Sequence, residues 1–181
     1  MNEDKKLLGE KRRETLIKWL KESPSPIIGE ELSRRANVSR QVIVQDISLL
    51  KARNEPIFAT SQGYIYMQEQ TRNEQFTRII ACKHQPDETL KELQILVDNG
   101  VTVKDVIVEH PVYGEISGSL LISNRFEVDR FMEKLNETKA SLLSLLTDGV
   151  HLHTIEADSI EKLDAACKAL AQANILLSEQ N

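Results

Sequence analysis

All four histidines lie after residue 80, at His84, His110, His151 and His153, and the last two are separated by one residue. In an extended segment alternate side chains share a face, so His151 and His153 would project to the same side about 7 Å apart. Two imidazoles so placed can grip one divalent ion. His84 closes an alternating apolar segment, and Glu88 and Glu92 follow it one helical turn apart. Either carboxylate could be aimed back at a strand end. His84, one of the two glutamates, His151 and His153 would offer three nitrogens and an oxygen, a donor set suited to Zn, Ni, Fe or Mn. A second constellation is His110-Pro111-Val112-Tyr113-Gly114. It sets an imidazole and an aromatic ring beside a rigid proline at a strand end, so His110 and Tyr113 are expected to line a small-molecule pocket. Tyr113 can stack on a flat ligand ring.

A third constellation lies near the N-terminus. Between Ser39 and Lys51 the apolar residues Val42, Ile43, Ile47 and Leu50 recur at helical spacing. That stripe leaves Arg40, Gln41, Gln45 and Ser48 on the opposite face. Arginine reads guanine and glutamine reads adenine through paired hydrogen bonds in the major groove. Ser39 is a good helix N-cap, and a hydroxyl with free backbone N–H groups at a helix start can meet a phosphate. Lys51 and Arg53 are expected to meet backbone phosphates. The predicted DNA-contacting set is therefore Ser39, Arg40, Gln41, Gln45, Ser48 and Lys51.

The elements that must hold these groups can be read from periodicity. A helix is predicted over residues 5–21, with Leu8, Leu16, Ile17 and Leu20 inward and Lys and Arg outward; Ser23-Pro24-Ser25-Pro26 ends it. A short helix follows over 29–35, then a turn at Asn37-Val38-Ser39 and the helix from Arg40 to about Ala52. Ile28 stands where a Ser or Thr cap is expected for the short helix. Ile57–Thr60 and Tyr64–Met67 are predicted strands about the turn Ser61-Gln62-Gly63. Helix, helix, turn, helix and hairpin in that order describe a winged helix-turn-helix. Gln68–Gln75 is polar and is predicted to link the domains.

Beyond it the predicted elements are a strand 76–83, a helix 86–99 stopping at Gly100, strands 103–109 and 116–123, and a helix 124–140. A hairpin of 142–146 with 151–156, a helix 158–174 and an edge strand 175–177 complete the chain. The fold class expected is α+β: an N-terminal winged helix-turn-helix over 1–68, followed over 76–181 by a C-terminal α/β sandwich, with helices on one face of a mostly antiparallel sheet.

Charge supports this division. The 181 residues carry a net charge of −5, yet residues 1–70 hold twelve Lys/Arg against ten Asp/Glu, whereas residues 71–181 hold eleven against eighteen. The acidic half argues against nucleic acid there and puts any DNA contact in the N-terminal part. A surplus of two positive charges binds weakly alone, so a homodimer on a palindromic operator is expected. Cys82 and Cys167 are too few and too far apart for a disulfide framework and are expected as reduced core thiols. No apolar run approaches the roughly 20 residues of a membrane helix, and the N-terminus lacks a signal-peptide core, so a cytoplasmic protein is expected.

The strings DVIVEHPVYG at 105–114 and GVHLHTIEA at 149–157 resemble the three-histidine (3H) domain. Joined to a helix-turn-helix, the chain from about Lys11 to Leu177 is similar to the niacin-responsive transcriptional repressors of NAD biosynthesis and niacin uptake. The resemblance implies a cytoplasmic homodimer that binds double-stranded operator DNA with nicotinic acid as co-repressor. It also implies a transition metal held by His84, Glu92, His151 and His153, choosing Glu92 where spacing alone leaves Glu88 open. It gives His110 no definite role. Two alternatives stand beside it. A metal-bound water is capable of hydrolysis, which would suit a metal-dependent small-molecule hydrolase, although no nucleophile–base pair is evident. In a metal-ion sensor repressor, the ion itself would be the signal.

Overall fold

A computed structural model describes residues 9–67 and 75–177. The chain divides into two compact units, Met1–Thr71 and Arg72–Asn181, each with its own apolar core. Most of the predicted linker, residues 68–74, lies outside the described residues, as do residues 5–8 of the first predicted helix.

The N-terminal unit consists of α1 (Gly9–Glu22), α2 (Gly29–Ala36), α3 (Arg40–Ala52) and the hairpin β1 (Ile57–Thr60) and β2 (Gly63–Tyr66). Leu16, Leu20, Leu32, Ala36, Ile43, Ile47, Leu50 and Ile57 meet in its core. Asn37 takes the left-handed conformation that turns the chain between α2 and α3, and the Ser39 hydroxyl accepts the Val42 N–H to start α3. At the start of α2, Ile28 makes no side-chain cap bond. The hairpin turn is only Ser61-Gln62, because β2 begins at Gly63, which pairs with Thr60. Gly63 has φ +128°, and a Cβ there would lie 2.5 Å from the Ile27 carbonyl oxygen. Glycine is needed because Ile27 and Tyr64 exchange two 2.8 Å backbone hydrogen bonds at this point, tying the hairpin to the start of α2.

The expectation that the arginines of α1 face outward is corrected at Arg12. It is buried, and its guanidinium bonds Asp46 of α3, which is only 2% exposed. Arg13 also donates to Asp46. Mutual neutralisation lets both charges sit inside, and the pair fixes α1 against the helix that carries the predicted DNA-reading face. Removing one partner of a buried pair costs about 3–5 kcal/mol, because the other charge is left uncompensated. Asp46→Ala is therefore expected to destabilise the N-terminal unit by about that amount. Urea unfolding followed by the fluorescence of Trp19, the only tryptophan, measures it. An unchanged midpoint would show that the pair contributes nothing net.

The C-terminal unit runs β3 (Phe76–Lys83), a single 3-10 turn (Pro86–Glu88), α4 (Thr89–Asp98), β4 (Thr102–His110), β5 (Gly114–Ile122), α5 (Arg125–Thr138), a 3-10 segment (Leu143–Thr147), β6 (Val150–Ala157) and α6 (Ile160–Gln172). The sheet is antiparallel throughout, in the order β3-β6-β4-β5. Side chains alternate along β6, so His151, His153, Ile155 and Ala157 are buried. Ile155 and Ala157 join Leu93 and Leu96 of α4, Val128 of α5, and Leu163, Ala166 and Leu170 of α6 in one core.

Two expected strands are corrected. Leu142–Leu146 does not pair in a hairpin with β6, because β3 and β4 already occupy both edges of β6. The segment instead winds into a 3-10 turn that leaves Leu145 and Leu146 half-exposed. Ile175–Leu177 runs along the free edge of β3 but makes only the bridge Cys82–Leu176, too short for a strand. Among the described residues no helix is long and apolar enough to cross a membrane.

Candidate functional site

Helix α3 presents one face to solvent. Ser39, Arg40, Gln41, Gln45, Ser48 and Lys51 are all exposed, while Ile43, Asp46, Ile47 and Leu50 are buried. Val42, expected in the buried stripe, is only half-buried. Val44 is 45% exposed among the polar residues, an apolar group of the kind that packs on a thymine methyl. Ser48 donates its hydroxyl to the Val44 carbonyl. Arg40 lies beside Gly29 at the start of α2, next to Tyr64 of the hairpin. Arg53, expected to meet a phosphate, holds Glu10.

In the C-terminal unit three imidazoles converge on one carboxylate. His84 Nε2 lies 2.7 Å from Glu92 Oε2, His151 Nε2 lies 3.2 Å from Oε1, and His153 Nε2 lies 3.4 Å from Oε2. All four residues are buried. Each ring is oriented from behind by a backbone carbonyl on Nδ1: Gln85 for His84 at 2.7 Å, Gly149 for His151 at 2.9 Å and Asp105 for His153. A carbonyl oxygen can only accept, so every Nδ1 carries its hydrogen and every neutral ring turns a bare Nε2 lone pair towards Glu92. Lone pairs facing a carboxylate require positive charge between them, from protons or from a metal ion. Backbone-anchored histidines sharing one carboxylate are the donor chemistry and outer support that a first-row divalent ion takes. His153 Nε2 is buried and has no hydrogen-bond partner among the described residues, which fits a nitrogen kept for an ion.

The chain builds this cluster from two strands and a helix. In register, Cys82 of β3 stands opposite His151 and Ile80 stands opposite His153. The 3-10 turn then swings α4 over the strand ends. Glu88 falls within that turn, part-exposed and 3.7 Å from Lys91, whereas Glu92 one turn later points in. Gly149, with φ +87°, closes the cluster. A Cβ there would lie 2.4 Å from the His84 carbonyl oxygen, so only glycine lets the chain pass before β6.

Burial disfavours charge on His84 and His153, yet the adjacent Glu92 carboxylate outweighs it, and both hold protons above the ordinary imidazole range. Burial likewise opposes the Glu92 charge, but the three imidazoles hold its carboxyl well below the usual range. With a raised pKa, the two histidines stabilise the fold below the ordinary value of 6.5 and lose that contribution as pH rises through their folded values. With a depressed pKa, Glu92 stabilises above 4.5 and loses its contribution only in stronger acid. Protons therefore satisfy the cluster in mild acid, and a metal is needed most above the histidine range. The rise in Tm on adding Zn2+ is expected to be small at about pH 5.5 and to grow towards about pH 8. A rise independent of pH would contradict this.

His110 ends β4, and its Nδ1 accepts the N–H groups of Val112 and Tyr113, folding the β4–β5 tip. An open depression there is lined by Glu109, His110, Pro111, Gly114 and Glu115. Tyr113 is outside that lining and 77% exposed, its ring 5.0 Å from that of His110.

Two groups escaped sequence reasoning. Asp46 breaks the apolar stripe of α3 three residues after Ile43, a signal of a buried ion pair. Cys82, on β3 opposite His151, belongs to the described group of donors, with Glu92 and His151, whose ligand atoms all lie within 4.8 Å of one another.

Comparison with known families matches residues 12–65 to an HTH domain and residues 77–179 to the 3H domain. The chain is 56% identical over 180 residues to the transcription repressor NadR of Bacillus subtilis, covering 99% of this chain and 100% of that protein. It is 38% identical over 174 residues to the probable transcription repressor NiaR of Thermotoga maritima, covering 96% of this chain and 98% of that one.

Proposed function

Because the chain belongs to the family of transcription repressors that join a helix-turn-helix to a 3H domain, we propose that it represses genes of NAD biosynthesis or niacin uptake, binding their operators when nicotinic acid is present. It is a regulator and not an enzyme. The observation that carries the reading is the convergence of His84, His151 and His153 on Glu92, in a chain whose α3 bares Arg40, Gln41 and Gln45.

In this reading Arg40, Gln41 and Gln45 meet base edges, while Ser39, Ser48 and Lys51 hold the backbone. The protein is a cytoplasmic homodimer, its two α3 helices entering successive major grooves about 34 Å apart. His84, Glu92, His151 and His153 hold a Zn, Ni, Fe or Mn ion. Bound there, the ion supplies a Lewis-acid position for the carboxylate or ring nitrogen of nicotinic acid. The Gln85, Gly149 and Asp105 carbonyls keep the three rings in the orientation that leaves Nε2 as donor. His110 and Tyr113 offer the second contact at the hairpin tip. The ligand acts only by binding the operator-competent arrangement more tightly than the other.

The test is to incubate the full-length, metal-loaded chain with sheared DNA of its own genome, with and without nicotinic acid, and to sequence what it retains. Retention of fragments upstream of NAD-synthesis or niacin-transport genes only with nicotinic acid is expected. Retention that follows metal concentration at fixed nicotinic acid would make the ion the signal and overturn the co-repressor reading.

A further inference from the structure

We propose that Cys82 binds the metal as a thiolate, so that this chain's centre holds a sulfur donor beside its histidines and glutamate. The inference rests on the metal reading of the cluster and deepens it.

Cys82 is fully buried on β3, directly across from His151 and two residues before His84, which is buried just past the strand's end. Its Sγ, a Glu92 oxygen and a His151 ring nitrogen all lie within 4.8 Å of one another. First-row ions bind nitrogen and oxygen at about 2.0–2.2 Å and thiolate at about 2.3 Å, so donors around one tetrahedral ion stand about 3.5 Å apart. Donors within 4.8 Å of one another reach that spacing by moving together by up to about 1 Å. A second observation points to the same ion. His153 Nε2, buried and without a hydrogen-bond partner among the described residues, faces the same Glu92 carboxylate.

A thiol that served only to fill the core could occupy any apolar position. This one stands against the buried Glu92 carboxylate of the unit's polar cluster. On binding, the ion forms a bond to Sγ, the thiol proton passes to solvent, and no group is oxidised or reduced. A soft sulfur donor tilts the preference of the site towards zinc and away from manganese. Cys167 lies on α6 beside Arg78 and takes no part.

The probe is Co2+ added to the full-length chain, followed by absorption. Wild type is expected to show the near-ultraviolet sulfur-to-cobalt charge-transfer band. Cys167→Ser is expected to keep it, and Cys82→Ser to lose it while still binding cobalt through the remaining donors. Cobalt bound by wild type without the band, or a band that persists in Cys82→Ser, overturns the assignment and leaves the metal reading standing. If Cys82→Ser fails to fold, the band kept in Cys167→Ser supports the assignment, and its absence there overturns it. Failure of wild type to take up cobalt would overturn both.

Discussion

Glu92→Gln is expected to abolish tight metal binding, lowering affinity by at least about 100-fold, since even outer partners of metal ligands contribute 10- to 100-fold. The substitution keeps the shape of the side chain and removes the only negative charge that His84, His151 and His153 share. An amide must also turn either an NH2 group or a weaker oxygen towards three lone pairs that need a cation. The metal-free variant should be less stable than wild type in mild acid as well, because the raised pKa of His84 and His153 depends on that carboxylate. Metal content after dialysis, with Tm measured with and without Zn2+, tests both effects. A variant that retains metal like wild type would remove Glu92 from the centre.

The second large effect belongs to α3. Arg40→Ala and Gln45→Ala are each expected to weaken operator binding about 5- to 150-fold and to relax preference at one base pair, as loss of a paired base contact does. Lys51→Ala is expected to weaken all sequences alike and to lower the salt dependence by about one counterion. Titrations at several salt concentrations separate the two behaviours. Equal loss on operator and random DNA for Gln45→Ala would mean that this side chain does not read bases.

Much of this was legible because periodicity is a strong signal wherever one face is buried. The stripe Ile43, Ile47, Leu50 marked α3 and the Ser39 cap its start, and alternation put His151 and His153 on one face. Pairing partners were not legible. The run Leu142–Leu146 has strand composition, yet β6 had both edges filled by strands distant in sequence, which no local pattern reports. Spacing left Glu88 and Glu92 equivalent on an ideal helix. The 3-10 start of α4 broke that equivalence by turning Glu88 towards Lys91. Arg12 and Asp46 lie 34 residues apart, so although Asp46 interrupts an apolar stripe, nothing local in the sequence names Arg12 as its partner. Cys82 was hidden by its chemistry, since a buried thiol in an apolar strand reads as core unless the strand opposite carries histidines.

The most direct test is the affinity of the metal-loaded, full-length chain for its operator at fixed salt, with and without nicotinic acid. Binding about 5- to 150-fold tighter with nicotinic acid is expected, the range of ordinary allosteric coupling, with no such gain in Glu92→Gln. Equal affinity in the two conditions, with metal bound in both, would contradict it.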